Sequence, residues 1–108
     1  MKEDLLKIIM HYGVNVQQRK LAEEVFELQE AITKAQDVYD KTVLFQEYTS
    51  NLKTNIAEEI ADVMVMLNQF KAYYGIPNET ILVFMRGKVD RQLERIKNEV
   101  LWLLVTNI

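Results

Sequence analysis

The sequence has no cysteine, one histidine, one proline and three glycines in 108 residues. The absence of cysteine excludes disulfide bonds and thiolate metal sites. A single histidine, His11, excludes a bundle-type di-iron centre, because that centre requires a Glu-x-x-His motif on each of two helices. So few glycines and prolines leave little material for turns, which favours a few long elements over many short ones.

The chain also lacks an excess of positive charge and a long apolar run. Its net charge is −3 at pH 7, so composition gives no support for nucleic-acid binding. No apolar run approaches the roughly 18–20 residues that span a bilayer, and MKEDLLKIIM lacks the apolar core of a secretory signal. We therefore expect a cytoplasmic protein with no membrane partner and no nucleic-acid partner.

Helical spacing of apolar residues predicts four helices, over about residues 2–10, 16–39, 50–73 and 79–103. The predicted apolar stripes of the second and third helices are Leu21, Val25, Leu28, Ile32 and Ala35, and Ile56, Ile60, Val63, Leu67 and Phe70. Gly13 is expected to end the first helix, and residues 40–49 to connect the second and third. The expected N-caps are Asn15, Ser50 or Asn51, and Asn78.

With no strand-like alternation and no hairpin signal, the fold class is all-α. We expect a helical bundle of three long helices plus a short N-terminal helix, in a single domain over residues 1–108 that is completed by oligomerisation. Residues 100–105 are apolar on every side of a helix, and such a helix must be buried. They predict a subunit interface, with docking against the N-terminal helix as the alternative.

A short acidic motif occurs twice. Residues 21–28 are Leu-Ala-Glu-Glu-Val-Phe-Glu-Leu and residues 56–63 are Ile-Ala-Glu-Glu-Ile-Ala-Asp-Val. The matched acids are Glu23 with Glu58, Glu24 with Glu59, and Glu27 with Asp62, always 35 positions apart. At about 100° per residue, Glu24 and Glu59 lie at the edge of the apolar stripe, whereas Glu23 and Glu58 rotate outward.

Antiparallel packing of these two helices would bring the acids to similar heights. If Tyr39 faces Ser50, the midpoint of Glu24 and Glu27 and the midpoint of Glu59 and Asp62 differ in height by about three residues, or ~4.5 Å of helical rise. A small sliding of one helix along the other would bring them level. Four carboxylates that converge with little water repel one another, and a hard divalent cation such as Mg²⁺ would neutralise them. The alternative is an ordinary solvated acidic face, which is common on helices.

The paired motif resembles the signature of the MazG-like nucleotide pyrophosphohydrolases, within the all-α NTP pyrophosphatase superfamily. That signature is EExxE followed by ExxD on the next helix. It stands here as Glu23-Glu24-Val25-Phe26-Glu27 and Glu59-Ile60-Ala61-Asp62. The resemblance covers roughly residues 15–97, and Lys88-Val89-Asp90-Arg91 is similar to a basic segment often found on a later helix of the family.

The resemblance implies hydrolysis of an NTP or dNTP to the monophosphate and pyrophosphate, in some members for nucleotide-pool housecleaning. It makes Glu24, Glu27, Glu59 and Asp62 the ligands of Mg²⁺, for which Mn²⁺ could substitute. Glu23 or Glu58 would orient or deprotonate the attacking water. It also implies a homodimer or a homotetramer.

Phosphate groups also need fixed cations. The candidate substrate-binding residues are Gln17, Lys20, Lys88, Arg91 and Arg95, spaced at single helical turns within each helix. A solvated basic face is the alternative for those near the C-terminus. The competing function for the whole chain is a non-catalytic helical oligomerisation or regulatory module with a degenerate nucleotide or metal site.

Overall fold

The computed structural model describes the backbone of residues 1–41 and 46–107, and the side chains of residues 1–37 and 50–107. These residues form four helices: α1 (Lys2–Tyr12), α2 (Val14–Lys41), α3 (Gln46–Tyr74) and α4 (Asn78–Thr106). No strand occurs in the described ranges, so the prediction of an all-α chain with one short and three long helices is confirmed. By its internal contacts the chain divides into two compact units, Met1–Gly75 and Ile76–Ile108. The single domain over residues 1–108 stays a prediction.

Glycine ends two of the helices. Gly13 has a φ of 94°, and its N–H donates to the carbonyl of Ile9 at 2.8 Å, which confirms the predicted end of α1. Gly75 has a φ of 65° directly after α3. Both angles lie in the region that a Cβ disfavours, so glycine can stop a helix there at little steric cost.

Helix boundaries differ from the predictions in three places. Residues 40, 41 and 46–49, expected to be a connection, are helical, while residues 42–45 lie outside the described part of the chain. Of the β-branched and aromatic residues on which that connection was predicted, Tyr48 and Thr49 lie within α3, where each costs a helix only tenths of a kcal/mol. Asn15 lies inside α2, and Ser50 and Asn51 lie inside α3, so none of them is an N-cap.

The third difference is at α4, whose N-cap is Pro77 rather than Asn78. Pro77 has a φ of −68° and a ψ of 146°, an extended conformation in which its ring fixes φ. Asn78 is thereby the first residue of the helix.

On α2 and on α3, a series of buried and half-buried positions alternates three and four residues apart, as in a coiled-coil seam. On α2 they are Gln17, Leu21, Glu24, Leu28, Ala31 and Ala35, and on α3 they are Leu52, Ile56, Glu59, Val63, Met66 and Phe70. We call these twelve positions the seam. It is narrower than the predicted stripes, four members of which are 41–48% exposed: Val25, Ile32, Ile60 and Leu67. The prediction was wrong at these four positions because it followed apolar residues alone. The inward-facing series passes through Glu24 and Glu59, which a purely apolar pattern leaves out. Other buried or half-buried residues lie outside this series: Val14 on α2, and Asn68, Gln69, Lys71 and Ala72 near the end of α3.

Helix α1 packs against both α2 and α3, and its Ile9 is fully buried. Helix α4, in the second unit, has no buried residue, and its residues 100–105 are each 50–69% exposed. The predicted subunit interface on this segment stays a prediction. Among the described helices, none is both long enough and apolar enough to cross a bilayer.

Candidate metal centre

The register of α2 against α3 is marked by one hydrogen bond. Gln17 Nε2 donates to Gln69 Oε1 at 2.8 Å, between residues 52 positions apart in the chain. In an antiparallel helix pair, residues that face each other have numbers with a constant sum, which we call the facing sum. Gln17 and Gln69 add to 86, and so do Glu24 with Asp62 and Glu27 with Glu59. The seam positions pair at a sum of 87, from Gln17 with Phe70 to Ala35 with Leu52, so the two acid pairs stand level to within about one residue in the antiparallel packing. The three-residue mismatch expected from placing Tyr39 opposite Ser50 is absent.

Three of the four predicted metal ligands come together. One carboxylate oxygen each from Glu24, Glu27 and Glu59 lies within 4.8 Å of the other two. Glu24 is buried at 8% exposure, Glu59 is half-buried and Glu27 is exposed, so the group runs from the seam to solvent. We call these residues the acid trio. Asp62 is exposed and outside the trio, although it lies near enough to Glu59 for its charge to act there.

Within the described residues, Lys20 forms salt bridges with two acids of the first motif. Lys20 Nζ lies 3.2 Å from Glu24 Oε1 and 3.8 Å from a carboxylate oxygen of Glu23. The hydrogen bond to Glu24, and then the charge of Glu24, raise the pKa of Lys20. The other oxygens of the cluster are less well matched. Oε2 of Glu24 and Oε2 of Glu59 are buried without a hydrogen-bond partner in the described part of the protein.

The charges of the acid trio oppose one another. The charge of Glu24 is the largest cause that raises the pKa of Glu27, followed by loss of hydration and the charge of Glu59. Loss of hydration is the largest cause that raises the pKa of Glu59, followed by the charges of Asp62 and Glu24. Both carboxylates are therefore harder to ionise than in water, which a bound cation would reverse.

The donor set fits a hard divalent cation. Mg²⁺ and Mn²⁺ prefer carboxylate oxygens, and the two buried oxygens without a partner belong to two of the three trio residues. Three carboxylates also leave coordination positions for water or phosphate oxygens, as Mg²⁺ sites in nucleotide enzymes require. Glu24, Glu27 and Glu59 are thus the residues that could hold the ion.

An open cavity of about 330 Å³ adjoins the trio, within the size range of small-molecule sites. Its lining residues are Glu27, Glu30, Ala31, Lys34, Asn55 and Glu59. Sequence reasoning missed Lys34 and Asn55. Lys34 lies two helical turns after Glu27 on the same face, and Asn55 is the counterpart of Lys20 in the repeat. Both residues could therefore have been found from their spacing relative to the acidic motif.

The remaining predicted site residues are distributed over both units. Glu23 and Glu58 are exposed, as expected of acids that rotate outward. Gln17 is buried in the seam, and Lys20 contacts Glu24. Three predicted cations lie on α4 and are exposed there: Lys88, Arg91 and Arg95. Their contact with substrate, like that of Gln17 and Lys20, stays a prediction.

A scan against protein-family models, a search of curated proteins and a search of solved structures found no match to this chain. Its function is therefore inferred from the chemistry of the acid trio together with the motif that contains it.

Proposed function

We propose that this protein is a Mg²⁺-dependent nucleoside triphosphate pyrophosphohydrolase that converts an NTP or dNTP to the monophosphate and pyrophosphate. The observation that carries the proposal is the acid trio, whose three carboxylate oxygens lie within 4.8 Å of one another across two helices. These residues occupy the EExxE and ExxD positions at which the MazG-like resemblance implies metal ligands.

In this proposal Glu24, Glu27 and Glu59 hold the ion, and Asp62 stands beside them as the fourth acid of the motif. When bound, Mg²⁺, or Mn²⁺ in its place, would polarise phosphoryl oxygens and lower the pKa of water. The buried oxygens of Glu24 and Glu59 supply negative charge for which the protein itself provides no hydrogen bond in its described residues.

The chain's own groups would position the reactants. An attacking water would form a bond to the α-phosphorus while the bond from that phosphorus to the bridging oxygen breaks, and pyrophosphate leaves with the bond's electrons. The proton of the water would pass to Glu23 or Glu58, whose exposed carboxylates are free of the seam. Lys20 fixes Glu24 at 3.2 Å, and Lys34 and Asn55 line the cavity where phosphate oxygens would lie.

The rest of the proposal is supported by the motif resemblance alone. It includes substrate contact by Gln17, Lys88, Arg91 and Arg95, assembly as a homodimer or homotetramer, and a housecleaning role in the cytoplasm.

The deciding experiment incubates the purified protein with each common NTP and dNTP plus Mg²⁺ and resolves the products. Monophosphate with pyrophosphate, lost in Glu59→Gln and retained in Asp37→Asn, would support the proposal. Asp37 is the matched control because it is an exposed acid of α2 outside the trio and its cavity. Diphosphate with orthophosphate would move the attack to the γ-phosphorus and overturn the pyrophosphohydrolase assignment.

The alternative is a non-catalytic helical oligomerisation or regulatory module. The exposed apolar side chains of α4, which has no buried residue, favour it. Thermal unfolding with Mg²⁺ or Mn²⁺ separates the two, because only a ligand that binds the folded state raises the unfolding midpoint. Stabilisation by either metal without turnover of any common nucleotide would favour a modified nucleotide as substrate, and no stabilisation would favour the module.

A further inference from the structure

Two side-chain amides lie in the packing between α2 and α3, where apolar residues are the norm. Gln17 is 6% exposed and Gln69 is 2% exposed. Besides accepting from Gln17, Gln69 donates through Nε2 to the Met66 sulfur at 3.7 Å. A buried amide that loses its partner is costly, so each of these residues depends on the other being opposite.

The apolar seam alone does not select one register. Its twelve positions pair at a sum of 87, one from that of the amide pair, and they recur every three to four residues. A shift to a sum of about 83–84 or about 90–91 therefore again places seam residues opposite one another. At a sum of about 90, Glu24 would face Met66 and Glu59 would face Ala31, and the acid trio would separate. At about 83, Glu24 and Glu59 would face each other directly, and Glu27 would be level with Ile56 instead of Glu59. Leucine, alanine and valine offer little resistance to such a shift, since their contacts are not directional.

The amide pair, in contrast, fits one register. At a sum of about 90, Gln69 would face Leu21, and at about 83 it would face Val14. In either case both amides lose the 2.8 Å hydrogen bond. A single polar contact in a helical seam is a known means of specifying register, at some expense of stability.

We propose that Gln17 and Gln69 are positioning residues whose hydrogen bond selects the register that levels the acid pairs and assembles the acid trio. The consequence for metal binding rests on the proposed function, whereas the selection of register does not. In this role Gln17 does not bind the ion or the substrate itself, but holds the glutamates of the acid trio in place.

Engineered cysteine pairs can report the register directly, because the chain contains no cysteine of its own. Asn55→Cys is combined in turn with Leu28→Cys, Ala31→Cys or Ala35→Cys. The pair of residues 31 and 55 adds to 86, while the other two pairs report shifts to about 83 and about 90. Disulfides form only between Cβ atoms that approach closely, so dilute mild oxidation followed by peptide mapping gives the population of each register.

With Gln17 and Gln69 in place, we expect the 31–55 pair to cross-link roughly tenfold more than either other pair, as the penalty for unpaired amides implies. In Gln17→Met/Gln69→Met, which keeps side-chain volume, this selectivity should fall to about twofold or less, given that methionine packs without directional bonds. The unfolding midpoint should stay the same or rise, and Mn²⁺ affinity should fall as the 35–55 cross-link, which reports the register near 90, gains population. Gln18→Met, at an exposed position of α2, is the matched control and should change nothing.

Undiminished selectivity for the 31–55 pair in the folded methionine variant would overturn the proposal. If circular dichroism shows that this variant does not fold, Gln17→Leu/Gln69→Leu provides the same test with the same two outcomes. A protein that shows the expected cross-linking but binds no Mn²⁺ would support the register assignment and would refute the proposed metal site, so the two failures are distinguishable.

Discussion

The two copies of the acidic motif occupy equivalent seam positions but differ in the charge around them. Glu24 has Lys20 at 3.2 Å, one turn earlier on α2. The position matched to Lys20 in the second copy is Asn55, which carries no charge. Burial and the charges of neighbouring acids raise the pKa of Glu59. The copies are thus alike in their packing, but among the described residues only Glu24, in the first copy, forms a salt bridge with a lysine of its own motif.

A second difference concerns the other acid of each copy. Glu27 contributes an oxygen to the acid trio, whereas its counterpart Asp62 does not. Aspartate is one methylene shorter, so its carboxylate stays closer to its own helix. The comparison teaches that a sequence repeat can be symmetric in the core and asymmetric in the site that it builds.

The largest effect is expected from Glu59→Gln, which removes the half-buried acid of the trio that forms no salt bridge with the described residues. Mn²⁺ affinity, measured by calorimetry, and nucleotide turnover should each fall at least ~100-fold, since even residues that only support a metal ligand change these quantities by about 10–100-fold. Asp37→Asn on α2 should leave both near the native values. Unchanged Mn²⁺ affinity in a folded Glu59→Gln protein would remove Glu59 from the site.

Asp62→Asn should lower Mn²⁺ affinity by about tenfold, less than Glu59→Gln, because Asp62 lies outside the trio and acts on it through its charge. Asp62→Glu lengthens the side chain to match Glu27, and we expect it to retain affinity. A loss in Asp62→Asn as large as that in Glu59→Gln would show that Asp62 binds the ion directly.

The pH dependence of stability should also distinguish the trio from ordinary surface acids. Glu27 and Glu59 have pKa values raised above the ordinary 4.5, so the folded protein holds these protons more tightly than the unfolded chain. Their contribution to stability is fully present below 4.5 and is lost as pH rises through the raised values. In EDTA, Glu27→Gln should therefore become more stable relative to the native protein as the pH rises from 4.5 to 7. The measurement is the difference between their unfolding midpoints.

Excess Mg²⁺ should reverse that difference at pH 7 and should have little effect near pH 4.5, where protons compete with the metal. Asp37→Asn again provides the control on the same helix. A difference between Glu27→Gln and the native protein that is constant with pH would contradict the electrostatic account of the trio.

The smallest effect is expected from Asn55→Lys, which gives the second copy the cation of the first. Without metal at pH 7, the unfolding midpoint should rise by on the order of 1–2 °C, since a helical pair at this spacing and in this orientation contributes little. Mn²⁺ affinity should fall about threefold, because the added ammonium competes for the same carboxylate. Lys53→Asn, an exposed change elsewhere on α3, serves as the control for altered charge. Tighter Mn²⁺ binding in Asn55→Lys would break the comparison between the copies.

Much of the fold follows from the sequence because its causes are local. The scarcity of glycine and proline and the helical spacing predict four helices, and Gly13 predicts the end of α1. The repeat also predicts that Glu24 and Glu59 lie near a helix–helix contact, since both copies have matched apolar neighbours. These features depend on residues within a few turns of one another.

The register of α2 against α3 and the residues that form the seam could not be predicted from local sequence patterns. The register is marked by Gln17 and Gln69, which lie 52 positions apart, and a pattern of apolar residues does not reveal that two amides are buried together. For the same reason the sequence places the edge of the stripe at Glu24 and Glu59, when they are members of the seam. Exclusion of Asp62 from the trio depends on side-chain reach, which residue spacing does not contain.

The level pairing of the acids has a consequence for changes in chain length. The height of each acid is set by its distance along its own helix from the amide pair, seven residues from Gln17 to Glu24 and ten from Glu59 to Gln69. A residue gained or lost between the two helices leaves both distances unchanged. A residue inserted between Gln17 and Glu24 instead rotates one relative to the other by about 100° and removes the acid from the seam. Length variation should therefore be tolerated between α2 and α3 and excluded within these two short stretches.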